Sequence, residues 1–359
     1  MHMADALISP IVGGVMTAVT TGVAAYSIKK IQTEMDNRKI PLMGVMGAFI
    51  FASQMINFTI PGTGSSGHIG GGMLLAILLG PFAGFLTMAS VLLIQALFFG
   101  DGGLLALGSN VFNLGFFSCF IAYPLIYKLI TRKGITAKRI FGASMISAIV
   151  GLQLGSFGVV LETLFSGKTE LPFATFLMMM QPIHLAIGII EGIVTTTVIT
   201  FIWKARPELI DRSMDVNKND DISTKKVIVG LLVATILIGG GLSWFASSNP
   251  DGLEWSIAKV AGTTELKSSD GIHQLLAGIQ NKIAFLSGYA FKTNQKPQEN
   301  AVQSPENTWP DVKMGTSISG IIGGVFTLLL TAFIGIIISV IKKRKKKLII
   351  RFGCSKMAE

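Results

Sequence analysis

Apolar runs of about twenty residues recur along this chain, set apart by short polar or basic segments. They fall at Ala6–Ile28, Pro41–Ile60, Met73–Phe99, Ser109–Ile130, Ile140–Phe165, Phe173–Trp203, Val227–Phe245 and Ile318–Ile341. Each long run predicts a membrane-crossing helix, because only a helix satisfies its own backbone groups inside lipid. The run at Met73–Phe99 is broken by Gly80-Pro81, and a proline inside a helix breaks or kinks it. Charge decides whether it crosses once or twice. The segment Thr131–Arg139 carries Arg132, Lys133, Lys138 and Arg139 without an acid, and an earlier loop carries Lys29, Lys30, Arg38 and Lys39. Basic loops stay inside, and both do so only if residues 73–99 cross twice or turn back. The pattern therefore predicts a short or re-entrant helix to Leu79, a full helix from Phe82, seven helices up to Trp203, and an external amino terminus.

A mixed-charge stretch, Lys204–Lys226, reads as a cytoplasmic linker. A two-helix hairpin follows, with a polar, external segment at about 247–317 between its helices. Seven basic residues within Lys342–Arg351 place the tail inside. The expected division is 1–205, a linker at 206–225, a hairpin module at 226–345 and a basic tail at 346–359. The fold class is thus an all-α integral membrane protein.

Composition agrees with that pattern. Half the residues are hydrophobic and only 14% are charged, against about a quarter in soluble domains. The net charge of +10 is a matter of topology and not of nucleic-acid binding, since the lysines and arginines cluster in loops and tail. Cys119 and Cys354 make no metal-ligand spacing. A secretory leader needs a positive amino-terminal region; "MHMADALISP" has none, so residue 1 is expected to remain in the mature chain.

The candidate chemistry begins at that residue. A free amine followed by Xaa-His is a chelator: the Met1 amine, the His2 amide nitrogen and His2 Nδ1 close a five- and a six-membered ring around one metal. Histidine is too large for the methionine to be trimmed. Four nitrogens in a square suit Ni(II) or Cu(II), and a ligand set that must shed protons weakens in acid. The fourth nitrogen has to come from the same side of the membrane. His68 qualifies, in "PGTGSSGHIGGG", where glycines permit close backbone approach. Thr63, Ser65 and Ser66 are candidates to hydrogen-bond the ligands, and Asp5 to orient an imidazole or cap the first helix.

Other groups read more plainly. His184, after Pro182-Ile183, is expected to be a packed intramembrane histidine, His273 a solvated one, and Glu191 a hydrogen-bonding partner for a neighbouring helix. Gly167-Lys168-Thr169 resembles the end of a phosphate loop, but position 162 is Glu where its first glycine belongs. No ATPase is encoded here.

"MHMADALISP" resembles the start of the M-type substrate-binding subunits of nickel and cobalt energy-coupling-factor transporters, the NikM and CbiM proteins. "SSGHIGGGMLLAILLGPFAGFLTMASVLLIQALFFGDGGLLALGSNVFN" is similar to that family over a longer stretch, and "PDGLEWSIAKV" through "TSISGIIGGVF" to its N-type companion subunit, fused behind. The resemblance implies a seven-helix substrate-binding bundle and a metal held by the Met1 amine, both His2 nitrogens and the His68 ring. It implies a coupling membrane protein and two cytoplasmic ATPases as partners. Gly44, Ala48 and Ala52, four apart, form a small-residue ridge for docking the coupling protein, and Gly14, Ala18 and Gly22 another. The expected function is capture of Ni(II), or Co(II), at the outer face of a bacterial cell membrane, with no organic cofactor. The alternatives are a membrane metalloenzyme, which needs an open coordination position and a positioned acid or base, and a self-sufficient secondary transporter, which usually shows internal repeats.

Overall fold

The computed structural model describes residues 2–34, 40–167, 171–210, 221–263, 266, 271–291 and 314–355. Met1, Arg38, Lys39, Lys168 and Thr169 lie outside the described residues. A single 3-10 turn, Asp5–Leu7, leads into α1 (Pro10–Glu34). Then come α2 (Ile40–Gln54), a small antiparallel hairpin of β1 (Phe58–Ile60) and β2 (Ser65–Gly67), and α3 (Gly72–Leu79). The next rod, α4 (Pro81–Ile94), runs into a π-helical turn at Gln95–Phe99. A further rod joins α5 (Leu107–Val111), a π-helical stretch at Phe112–Tyr127 and α6 (Lys128–Thr131). Two long helices follow, α7 (Ala137–Ser166) and α8 (Phe173–Ala205). The second module holds α9 (Asp221–Gly240), α10 (Gly252–Ala261), α11 (Gly271–Ile283) and α12 (Met314–Ser355).

Six of the described helices are long and apolar enough to cross a membrane. Their outer faces carry exposed Ile11, Phe165, Met178, Phe201 and Phe333, the surface that lipid covers. The break at Gly80-Pro81 is as expected: Gly80 has φ 89°, and Pro81 opens α4 where its missing N–H costs nothing. Every residue of the eight-residue α3 is buried, which shelters a helix too short to span the bilayer.

Three expectations need correction. The chain is not wholly α-helical, since the glycine-rich stretch after α2 forms a hairpin; Gly62 and Gly64, at φ 76° and 75°, make its turn. The second apolar run does not stay helical to Ile60, since α2 ends at Gln54. The long polar segment of the second module contains α10 and α11, and α10 is started by a capping box in which Asp251 accepts from the Leu253 and Glu254 amides.

The two modules pack together. Gly44 faces Leu328 and Ala332 of α12, and Gly47 faces Thr327 and Thr331. A methyl group on Gly324 of α12 would lie 3.9 Å from Ala48. Gly44 and Ala48 of the expected docking ridge are therefore covered by this chain's own second module and do not face a separate protein. Gly14 and Gly22 on α1 have nothing within 4 Å of where a Cβ would stand.

Candidate metal centre

The amino-terminal segment is threaded into the bundle and fastened there. The Met3 amide donates to Asn110 Oδ1 at 2.7 Å, and Asn110 Nδ2 returns a bond to the Met3 carbonyl at 3.1 Å. The Gly103 amide donates to the same carbonyl at 2.9 Å. A Cβ on Gly103 would sit 1.8 Å from Asp5 Oδ1, so only glycine lets the two segments approach. Asp5 neither orients an imidazole nor caps α1: its Oδ1 accepts from the Leu105 and Ala106 amides at 2.8 and 3.1 Å.

This fastening brings His2 against His68. Their rings stack with centroids 5.0 Å apart and 11° between planes, both side chains buried. His2 Nδ1 lies 3.0 Å from Asp101 Oδ1, and the Tyr289 hydroxyl donates to Asp101 Oδ2. His68 Nδ1 lies 3.1 Å from the Ile69 carbonyl. Both partners only accept, so Nδ1 carries a proton in each ring, and in His68 the lone pair falls on Nε2. Burial, reinforced by positive neighbours including the His2 ring, pushes His68 down to about 3. Burial pushes Asp101 up, but the His2 ring and the Tyr289 hydroxyl outweigh it and hold the carboxyl well below the usual range.

The loop bearing His68 is held from several helices. Glu191 of α8 accepts from the Gly70 amide at 2.7 Å and the Gly71 amide at 3.2 Å, at the start of α3. Gln54 donates to the Gly70 carbonyl at 2.8 Å and itself accepts from Gln95 at 2.8 Å. Thr63 and Ser65 bond each other, at 2.7 Å, and not an imidazole. Ser66 turns to the second module: its amide donates to the Pro250 carbonyl at 2.8 Å and its hydroxyl to that of Asn249 at 2.7 Å. Trp255 Nε1 donates to the Thr63 carbonyl at 2.9 Å.

A cavity of about 490 Å³ leads to this place, lined among others by His2, Asp101, Asp251, Glu254 and His273. Its carboxylates favour a cation, and its imidazoles a borderline metal such as nickel or cobalt. Among the described residues no three His, Cys, Asp or Glu side chains stand together at metal-ligand spacing. His273, expected to be solvated, is 4% exposed with Nε2 2.9 Å from the Ile8 carbonyl. Asp101, Asn110, Tyr289 and Asp251 were not among the sequence candidates. A lone acid in the charge-poor "FFGDGG" was the one local cue.

Comparison with known proteins adds a family. The family described as "Cobalt uptake substrate-specific transmembrane region" matches residues 2–209, and the PDGLE domain matches 225–340. A candidate metal transport protein of Haloquadratum walsbyi is 38% identical over 215 residues, covering 58% of this chain and 93% of that one. A fused nickel transport protein, NikMN, of Rhodobacter capsulatus is 32% identical over 225 residues, covering 58% of this chain and 64% of its own. The cobalt transport protein CbiM of Sorangium cellulosum is 30% identical over 196 residues, covering 52% and 84%. A crystal structure of a transition metal transporter superposes with TM-score 0.51 at 30% identity, covering 57% of this chain and 93% of that one.

Proposed function

This chain belongs to the cobalt-uptake substrate-specific transmembrane family, with a PDGLE domain fused behind it, and on that premise we propose that it captures Ni(II), or Co(II), at the outer face of a bacterial cell membrane and delivers it inward. It is a metal transport protein of the membrane and not an enzyme. The metal is its cargo.

The observation that carries the reading is the stacking of His2 on His68, residues far apart in sequence, at 5.0 Å. In the proposed bound state the Met1 amine, the His2 amide nitrogen and His2 Nδ1 hold the ion, and the His68 ring supplies the fourth nitrogen. Forming that chelate requires His2 Nδ1 to leave Asp101, now 3.0 Å away, and to give up its proton. The carboxylate that holds this nitrogen in the metal-free state then remains beside the ion as a counter-charge.

The rest of the proposal concerns energy and partners. Delivery is driven by ATP hydrolysis on two separate cytoplasmic subunits through a transmembrane coupling protein. The open ridge of α1 at Gly14 and Gly22 is the docking face, since that of α2 is covered. Residues 1–205 form the metal-binding unit, 206–225 a cytoplasmic linker, and 226–345 a unit that assists loading, with the segment 247–317 outside and the basic tail 346–359 inside.

The test is direct. Mass spectrometry establishes that the purified protein begins at Met1. His2→Ala, or one residue added before Met1, is expected to abolish nickel binding and uptake by the assembled transporter while thermal unfolding stays unchanged. An extended protein that binds nickel with native affinity would falsify the chelate.

A further inference from the structure

His184 was expected to be a packed histidine. Its Nδ1 lies 2.8 Å from the Met180 carbonyl one turn earlier on α8, so that nitrogen carries the proton and Nε2 the lone pair. This is the arrangement found in His68, where the Ile69 carbonyl fixes Nδ1–H and leaves Nε2 as the donor to a metal. His184 is 1% exposed, and its Nε2 has no hydrogen-bond partner. A buried imidazole lone pair left unsatisfied is costly and calls for a cause.

What it faces is specific. His184, His68 and Asp251 line a second, small cavity of about 10 Å³, room for about one water or bare ion. Gly67 and Gly252 border it, and a Cβ on Gly252 would lie 3.4 Å from His184 Cε1. Leu114, Leu152 and Ile187 add an apolar wall. Among the described residues Asp251 alone lines both this cavity and the larger one that reaches His2.

We propose that His184, His68 and Asp251 form an inner station for a divalent transition-metal ion, which receives the ion from the outer His2–His68 site. The inference rests on that outer site being where the ion is first held. The donors are two neutral imidazole nitrogens and one carboxylate, a set that suits Ni(II) or Co(II). Among the described residues they do not stand at metal-ligand spacing, so the three side chains must close on the ion to hold it. His184 keeps its Nδ1 proton on Met180 throughout. The carboxylate comes from the second module, so the station is completed by the fused domain.

The experiment measures Co(II) binding to full-length protein by equilibrium dialysis and visible absorption. The variants are His2→Ala, His184→Asn and the two combined. Asparagine keeps a donor near the position of Nδ1 for the Met180 carbonyl and removes Nε2. His2→Ala is expected to retain one weak Co(II), which the double variant loses. His184→Asn alone is expected to bind Co(II) at the outer site as wild type does, yet to carry nickel at least tenfold more slowly in the assembled transporter. Should His184→Asn fail to fold, Asp251→Asn in the His2→Ala background is expected to weaken the residual binding about tenfold. Equal residual binding with and without His184, or none in His2→Ala, overturns the station. Wild-type affinity in His2→Ala overturns the outer chelate instead, and the comparison with the double variant still decides the role of His184.

Discussion

At the scale of single residues, the acid that matters most to His2 is one that spacing could not single out. Asp5 lies three residues from His2 in sequence, but its carboxylate is spent on the Leu105 and Ala106 amides. Asp101 comes from the far side of α4 and holds His2 Nδ1 at 3.0 Å. A carboxylate this close competes with a metal for one nitrogen, yet also supplies charge that a dication needs. The second effect dominates because the carboxylate stays in place after Nδ1 turns away. Asp101→Asn is therefore expected to weaken nickel binding roughly 10- to 100-fold, read by isothermal titration; tighter binding would show that Asp101 acts mainly as a lock. The His68 ring makes a second, independent prediction. Its folded pKa of about 3 lies below the usual 6.5, so the unfolded chain takes up this proton first as pH falls. The contribution is fully present above pH 6.5 and is lost progressively toward pH 3. Metal-free protein is expected to lose about 2 kcal/mol between pH 7 and pH 5, and His68→Gln to flatten that slope in thermal unfolding.

At the scale of elements, the sequence was legible wherever apolar runs are long. The ends of α7 and α8 lie within about three residues of those expected from hydrophobicity alone. The break at Gly80-Pro81 was legible for the same reason, since a backbone rule overrides hydropathy there. What could not be read was structure stabilised by partners distant in sequence. The hairpin β1–β2 is only three residues a side; it stands because Ser66 and Thr63 bond the second module. The α2 ridge was visible as small residues, but nothing in its spacing tells a partner helix in the same chain from one in another protein. The crossing of α9 and α12 shows how tight such contacts are: a Cβ on Gly320 would stand 2.4 Å from the Gly239 carbonyl oxygen. Gly320→Val is expected to force these helices apart and cost about 1–3 kcal/mol. A reversible denaturation series on the purified protein measures that loss, and an unchanged midpoint would mean the crossing is loose.

At the scale of the whole molecule, the fused domain reaches the metal centre twice. Tyr289 bonds the acid that holds His2, and Asp251 lines both the cavity that reaches His2 and the one that reaches His68. The second module is thus built into the candidate site and not merely tethered behind it. Whether it must lift away for an ion to arrive follows from the larger cavity, which already leads to His2 with the "PDGLE" turn in place. Arrival therefore needs no opening, and a clamp across the two modules should not stop it. Thr59 of the hairpin and Ser247 of the second module touch through their hydroxyls at 2.9 Å, which makes Thr59→Cys with Ser247→Cys a suitable clamp. With the disulfide closed, nickel binding to purified protein is expected to keep its native affinity. Passage onward requires His68 to release its ion past Asp251, so uptake by the assembled transporter is expected to fall at least tenfold and to return on adding reductant. Loss of binding in the clamped protein, restored by reductant, would instead show that the fused domain must move aside before the ion can reach His2.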